Sequence, residues 1–575
     1  MTQETNATRT PTWMAWGILI VVCLTLSFSY LGSYVTLGSH EVVAAVPGRE
    51  MLHSGDWVIP RYGDVPRVRK PPLVYWLVAS SGWLFGGFDD FVVRFHSAIA
   101  AIGMVALMSL WAYRWYGREA AFAAALVQTT CYWTCHYERH AEIDMVQCLI
   151  TTAAMFLIAN QPDAESSSKA RLRWIGILSL IGLTWLAKFH YGTAMVFGPV
   201  FVFWTIQRAW RRWLNLVNPI GLLIVIACAL IWPYLLLREY PEALERIRFE
   251  TVGRAIGEIG YDPWWYFGPQ LLLLALPWTG HVLLIARESW LRAWRHGDER
   301  ERFLWVWLIV DVVIASASPN KHVNYLLAAM PVMTLLAAQM TARIMSRIHC
   351  GAVRLPKYFP AALAVGTVAL GVFLIGVCTK RFPAAELAIR WGLGGAVCGV
   401  LVSCWCLHRR YWSLAGWTSL ASGLAIFLIA VSSVTPTTDD RREMVAFAQE
   451  LRQEVLKDRP VCVYARRGTL PGFHPAIYYL DDPVFQVSTF SELLQQVRRS
   501  GDLLTVIERE SLEKLRAVDA IVDVEEIAQM SSHGAPLDDS LICVRLKYRS
   551  DGLSETARVD QDDVTASTAE SVKRR

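Results

Sequence analysis

The sequence predicts an α-helical polytopic membrane protein that ends in a small α/β domain, and three observations lead there. Of the 575 residues 54% are hydrophobic and 25 are Trp, and the mean hydropathy is +0.32. Soluble domains average about 45–50% apolar, so the excess calls for an apolar solvent. Apolar runs of roughly twenty residues, each able to cross ~30 Å of hydrocarbon, recur about thirteen times. After the polar stretch "SSVTPTTDD" the hydropathy collapses and a different pattern begins.

The runs start near Trp13, Phe91, Glu119, Asp144, Trp174, Gly192, Ile220, Trp264, Phe303, Val323, Phe359, Leu387 and Trp412. The first extends past the length of a signal peptide without a small-residue cleavage site, so it reads as a retained span. Alternate loops are rich in arginine: Arg114 and Arg118, Lys169 to Arg173, "QRAWRRW", "RESWLRAWRHGDERER", Arg343 to Lys357, Arg409 and Arg410. They carry roughly twenty basic residues, as the cytoplasmic side of a cell membrane should. The N-terminus is therefore expected in the cytoplasm, and the segment after an odd thirteenth span outside it. The net charge of +5 is mostly this topology signal, and no nucleic-acid partner is expected. The 12 Cys form no CxxC pair and read as small apolar residues. Spacing leaves a pairing of Cys462 with Cys543 open.

Four regions emerge. Residues 1–345 hold ten spans and the large polar loops, and 346–436 hold three spans with few polar groups. Residues 437–548 form the α/β module, and 549–575 lack the apolar side chains for a core and are expected to be disordered. The module opens with a helix, because Met444, Phe447, Ala448, Leu451 and Val455 share a face. "RPVCVYAR", "LLTVIER" and "SLICVRLKYR" read as strands, with "FSELLQQVRRSG" and "RESLEKLRAV" as helices between them.

The longer, charge-balanced loops carry the chemistry. From His40 and Glu41 onward, Val42, Ala45, Val46, Arg49, Met51 and Leu52 fall at the spacing of a helix lying in the membrane interface, which Pro47-Gly48 should kink or interrupt. "PPLVYWLVASSGWLFGG" is short and aromatic, a second interfacial helix started by its proline pair. His40, Glu41, Arg69 and Lys70 on this platform suit work on a lipid headgroup, or else form a rim of solvated, snorkelling charges. Glu138, Arg139, His140, Glu142 and Asp144 crowd the entrance to the fourth span, where Asp144 could also be an ordinary N-cap. Lys188 and His190 follow in "LAKFHYG", and Lys321, His322 and Tyr325 in "SPNKHVNYLL"; Arg254 precedes a Trp264-Trp265-Tyr266 belt, read as an anchor without a catalytic role. Cations around a phosphate, with carboxylates that take a proton or hold a sugar hydroxyl, would suit transfer of a group off a lipid phosphate.

Glu41 with "REMLHSGDWVIPR", "KPPLVYW", "RFHSAIAAIG", Asp144-Met145, Lys188, "PWWYFGPQLLLLALPW" and "SASPNKHVNYLLAAMPVMTLLAA" resemble the GT-C membrane glycosyltransferases. The likeness is to the lipid A aminoarabinose transferase type, related to the protein O-mannosyltransferases, over about the first 345 residues. It implies transfer of a sugar from a polyprenyl-phosphate donor to a lipid, glycan or protein acceptor on the outer face, with inversion at C1. It also implies that Lys70, Lys321 and Tyr325 face the donor phosphate and that Glu41 and Asp144 are the family's acids; on their own chemistry Lys188 and Arg254 join the phosphate group. The candidate catalytic residues are Glu41, Asp144 and His40, with His40 either a base or only a hydrogen-bond partner of the acids, and Arg69, Glu142, His190 and His322 are placed near substrate. The chain departs from the family pattern at His40, in place of an Asp, and at Val43-Ala44, in place of Arg-Tyr. Arg69 replaces an acid that contributes to a metal site, so that metal is not predicted; a divalent ion stays open, and no other cofactor is named. Two other readings stand beside this one: a transporter or flippase without covalent chemistry, and a scaffold built on a degenerate enzyme. Ionisable residues at span ends on one side, rather than near the bilayer midplane, weigh against transport.

Overall fold

The computed structural model describes residues 12–33, 35–62, 65–162, 167–253, 262–319, 321–350, 358–381, 383–409, 411–429, 442–456, 461–464, 477–480, 484–518, 522–529 and 541–548. Arg254 and the 549–575 tail lie outside the described residues. Contacts divide the chain into two units, which meet in sequence at Arg442 and Glu443.

The first unit is helical. It begins with α1 (Thr12–Phe28) and α2 (Ser39–Ser54), followed by the antiparallel pair β1 (Arg61–Tyr62) and β2 (Val65–Pro66), then α3 (Leu73–Phe85) and α4 (Asp90–Tyr116). Next come α5 (Arg118–Thr130), α6 (Tyr132–Tyr137), α7 (Asp144–Ala159), α8 (Ser167–Lys188), α9 (Tyr191–Ile206), α10 (Pro219–Glu239) and α11 (Ala243–Arg248). The unit continues with α12 (Phe267–Leu274), α13 (Thr279–Trp294), α14 (Glu299–Ala317) and α15 (Met330–His349). Its last helices are α16 (Phe359–Arg381), α17 (Glu386–His408) and α18 (Trp412–Ile429).

A helix lies at or close to every expected starting point. Five described helices are by themselves long and apolar enough to cross a membrane, and six if α12 and α13 are one span. That pair, expected as one continuous run, is bent by 111°. Pro277 sits in the break, where it has no N–H to give a helix. The expected tenth span is also modified, because a 3₁₀ turn over Val323–Ala328 precedes α15.

Local chemistry starts the long helices. Asp89 caps α4 by accepting from Val92 N at 2.8 Å, and Asn218 caps α10 by accepting from Gly221 N at 3.0 Å, each satisfying an orphan donor. The core of the bundle is aromatic. Trp111 stacks on Trp307 with centroids 5.5 Å apart, and Trp133 and Trp204 are equally buried.

The platform forms, with one correction. α2 runs unbroken through Pro47 and Gly48 rather than being interrupted. The missing side chain at Gly48 explains the close approach of α3, since a Cβ there would lie 2.6 Å from Val78 Cγ1. Ala44 and Met51 of α2 pack with Val74, Tyr75 and Ala79 of α3, and this cluster continues onto Ile143 and Ala187. The platform is thereby seated on the start of α7 and the end of α8.

The second unit holds α19 (Arg442–Glu450, its first residue closing unit one) and a five-stranded sheet. Its elements are β3 (Val461–Tyr464), β4 (Val484–Val487), α20 (Phe490–Ser500), β5 (Asp502–Glu508), α21 (Arg509–Val518), β6 (Val522–Gln529) and β7 (Leu541–Tyr548). The order is β4-β3-β5-β7-β6, parallel among the first three and antiparallel beyond. Cys462 on β3 and Cys543 on β7 are both free and buried, with β5 between them. Two strand spacings, about 10 Å, exceed the ~7 Å limit for a disulfide.

Candidate functional site

Two buried ion pairs organise the polar surface above the bundle. The first fixes the platform. Arg94 of α4 donates from Nε to Glu41 Oε1 at 2.8 Å and from Nη2 to Oε2 at 3.0 Å, a bidentate pair. Arg94 also donates to the carbonyls of Leu31 (3.0 Å) and Val35 (2.9 Å). Glu41 in turn accepts from Gly38 N and from Ala141 N, each at 3.0 Å. One guanidinium and one carboxylate thus tie together the chain leaving α1, the start of α2 and the loop before α7. Burial alone would raise the Glu41 carboxyl, but Arg94 brings it down to about 2. Glu41 therefore faces inward, into a structural pair, rather than toward an open site as a substrate-facing acid would.

The second pair lies where the spans end. Asp144, the first residue of α7, accepts from Lys188 Nζ, at the end of α8, and from Asn324 Nδ2 at 2.9 Å. Lys188 also lies 5.6 Å from the centroid of the Tyr191 ring. Tyr191 donates its hydroxyl to the Tyr325 carbonyl at 2.8 Å, their rings lie 5.8 Å apart, and His322 meets Tyr325 edge-on at 5.4 Å.

Around this pair the electrostatics are mutual. Lys70 has Glu142, Lys188, Asp144 and Arg67 as its strongest charged neighbours, and burial lowers the pKa of its ammonium. Glu142 is raised to about 7, first by burial and then by the Asp144 carboxylate, with Lys70 and Lys188 opposing. Two carboxyls this close favour sharing one proton. His40 stands on the platform with its ring only partly covered; that partial burial, then Lys70 and His322, lower its pKa, while Asp144 acts the other way. The imidazole is therefore neutral at pH 7 and able to accept a proton.

The structure thus brings His40, Lys70, Glu142, Asp144, Lys188 and His322 together, with Tyr325 joined to them through Tyr191 and His322. Lys321 is buried and held nearby in sequence, its backbone N donating to Asp262 Oδ2 at 2.8 Å and its Nζ to the Asp262 carbonyl at 2.9 Å. Arg69 and His190 are exposed and are not among the strongest electrostatic partners of Lys70, Glu142 or Asp144. Four residues that matter here were not singled out in the sequence: Arg94, Arg67, Asn324 and Asp262. Arg94 stood inside the quoted run "RFHSAIAAIG", and Asn324 inside "SPNKHVNYLL", so position alone could have flagged both.

Where the resemblance implies an acid for a metal, this chain has the cation Arg69. Among the described residues no group of three or more His, Cys, Asp or Glu could hold a metal ion.

Comparison with solved structures decides the fold. The chain matches the crystal structure of ArnT from Cupriavidus metallidurans bound to undecaprenyl phosphate with a TM-score of 0.74 at 19% identity, over 94% of this chain and 99% of that one. The chain has the GT-C fold of that membrane protein. Two curated relatives of the chain are named for the same activity. The undecaprenyl phosphate-alpha-4-amino-4-deoxy-L-arabinose arabinosyl transferase of Photorhabdus laumondii is 26% identical over 396 residues, 66% of this chain and 69% of the relative. The enzyme of the same name from Erwinia tasmaniensis is 27% identical over 518 residues, 81% and 88% of the two chains. The family profile for dolichyl-phosphate-mannose-protein mannosyltransferase matches residues 69–236. That stretch contains Lys70, Glu142, Asp144 and Lys188 and ends before Tyr325.

Proposed function

We propose that the protein moves a sugar from a polyprenyl-phosphate donor to a lipid acceptor at the membrane face bearing the platform, inverting the anomeric carbon. The observation that carries this reading is the meeting of Lys70 and Lys188 with Glu142 and Asp144 beside an interfacial platform. It is supported by the polyprenyl-phosphate sugar in the relatives' names. Lys70 and Lys188 hold the donor phosphate, and Tyr325 borders it. An acceptor oxygen attacks C1 in line; the C1–O bond breaks and its electron pair leaves on the phosphate oxygen, where the lysines neutralise the new charge. A hydroxyl acceptor passes its proton to Glu142 in its ionised form, or to neutral His40. Asp144 keeps the carboxyl pair half-charged and holds Lys188 in place beside it. Glu41 is a positioning residue, acting through Arg94 on the platform.

The same reading gives the chain about thirteen crossings, with the N-terminus in the cytoplasm and the segment after the last crossing outside it. Its regions are those of the sequence: a 1–345 core, 346–436 as added helices and 437–548 as the outer module. Lipid acceptors are favoured over glycan and protein ones because the platform lies in the membrane interface.

Membranes containing the protein and radiolabelled undecaprenyl-phosphate aminoarabinose test this directly. Label should pass to a lipid fraction with the wild type and fall by at least tenfold with Lys70→Ala. Movement of intact donor across sealed vesicles, without bond cleavage, would replace this reading by the transporter.

A further inference from the structure

We propose that the groove between α1, α4 and α5 binds an anionic phospholipid of the leaflet opposite the candidate site, with its phosphate on Arg118. The groove encloses about 750 Å³, within the ~300–1,000 Å³ usual for ligand sites. Its lining runs from Trp13 to Leu24 along α1 and from Ile102 to Tyr113 along α4. At 1.5 Å per helical residue each edge is about 16 Å long, close to half of a ~30 Å hydrocarbon core. The groove therefore spans one leaflet.

The path of the chain fixes which one. Phe28, at the far end of α1, meets Phe91 in the first turn of α4 with ring centroids 6.3 Å apart. α4 begins beside the platform, since its Arg94 holds Glu41. Trp13, Tyr113 and Arg118 consequently stand at the opposite surface.

Polarity is graded along the groove in the same sense. Ser109 is already satisfied by the Ala121 carbonyl at 3.1 Å, and the deep end at Cys23 and Leu24 is apolar. The charged lining is Arg118, at the shallow end beside Tyr113. Trp13 and Tyr113 are 77% and 53% exposed, as anchors at headgroup level are. Glu119 follows Arg118, but it sits in the first turn of α5, where the positive end of the helix stabilises it. A guanidinium at headgroup depth above an apolar trough one leaflet long complements a phosphate bearing an acyl chain. A second copy of the chain would offer helices about twice that length, which do not match a trough one leaflet long.

The lipid would also brace α1. At the platform end α1 is pinned, with Ser27 Oγ donating to Glu138 Oε2 at 3.0 Å and the Leu26 carbonyl accepting from Arg139. At the groove end its aromatic contact is the edge of Trp16 on Phe122, 5.3 Å away.

The test is native mass spectrometry of the full chain, delipidated and then offered phosphatidylglycerol or phosphatidylcholine in mixed micelles. Wild type should retain one phosphatidylglycerol at least fivefold in preference to phosphatidylcholine. Arg118→Glu should lose that preference. Ala106→Trp, placed at an exposed groove position, should retain neither lipid. Thermal midpoints near wild type would show that both variants fold; if one does not, the other decides. Unchanged retention of phosphatidylglycerol by the folded variants would overturn the proposal. So would a groove filled by a second copy, seen as a dimer that Ala106→Trp abolishes, or by residues 1–11, seen as lipid uptake only after their removal.

Discussion

Asp144→Asn is expected to slow sugar transfer by about 100- to 1,000-fold, the usual cost of removing one preorganised charged group from a buried reaction centre. The substitution keeps the size of the side chain and a carbonyl oxygen for Asn324 Nδ2, now 2.9 Å from Oδ1, so the fold should persist. What changes is charge. Lys188 loses the carboxylate it is paired with and becomes freer to meet the donor phosphate. Affinity for bare undecaprenyl phosphate should therefore hold or improve while turnover collapses, a split that general unfolding would not give. The pH profile should move as well. Glu142 is held at about 7 by burial and then by Asp144, so wild-type transfer should rise with pH along a limb near 7 as this carboxyl ionises. Neutralising Asp144 removes one cause, and the limb of the residual activity should shift to lower pH. A limb that stays in place would assign it to another group. Single-turnover transfer across pH 5–9 (a range chosen around the about-7 value) reads both effects.

Arg94→Ala should be the most destabilising single substitution at the platform, by about 3–5 kcal/mol, the range for removing one partner of a buried ion pair. Glu41 would be left buried with its Gly38 and Ala141 amides but without a guanidinium, and the Leu31 and Val35 carbonyls would lose a donor. The same pair predicts acid sensitivity. A carboxyl depressed from 4.5 to about 2 contributes stability on the order of 3 kcal/mol, at 1.36 kcal/mol per unit. The sign follows from the lower folded value. This stability is fully present above pH 4.5 and is lost as pH falls toward 2. Thermal unfolding in detergent should show the wild type losing stability over that window and Glu41→Gln losing less. Equal acid sensitivity in the two would mean that the pair does not hold the platform.

The sequence revealed charge where charge breaks an apolar pattern. Asp144, Lys188 and Lys70 stood at the ends of apolar runs, and the structure brings them together from α7, α8 and the loop before α3. Glu41 was visible by the same logic, but its partner was not. Arg94 lies one turn inside an apolar helix, where a single arginine is indistinguishable from a snorkelling one. Only the tertiary path shows it turned inward. Pro47 does not interrupt the helix, although a proline removes a backbone hydrogen bond, because α2 is held by Arg94 at one end and by close packing on α3 at Gly48. In the second unit β3, β5 and β7 were legible from apolar runs. "VFQV" was too short to stand out, and "VDVEEIAQ" reads as acidic until its edge position beside β7 is known.

The most direct measurement is a double-mutant cycle on the affinity for undecaprenyl phosphate, with Lys70→Ala, Lys188→Ala and the pair. If both lysines hold one phosphate, each single change weakens binding and the two are coupled by at least about 0.5 kcal/mol, as residues sharing one partner are. Affinity untouched by either change, or losses that simply add, would contradict a shared phosphate site.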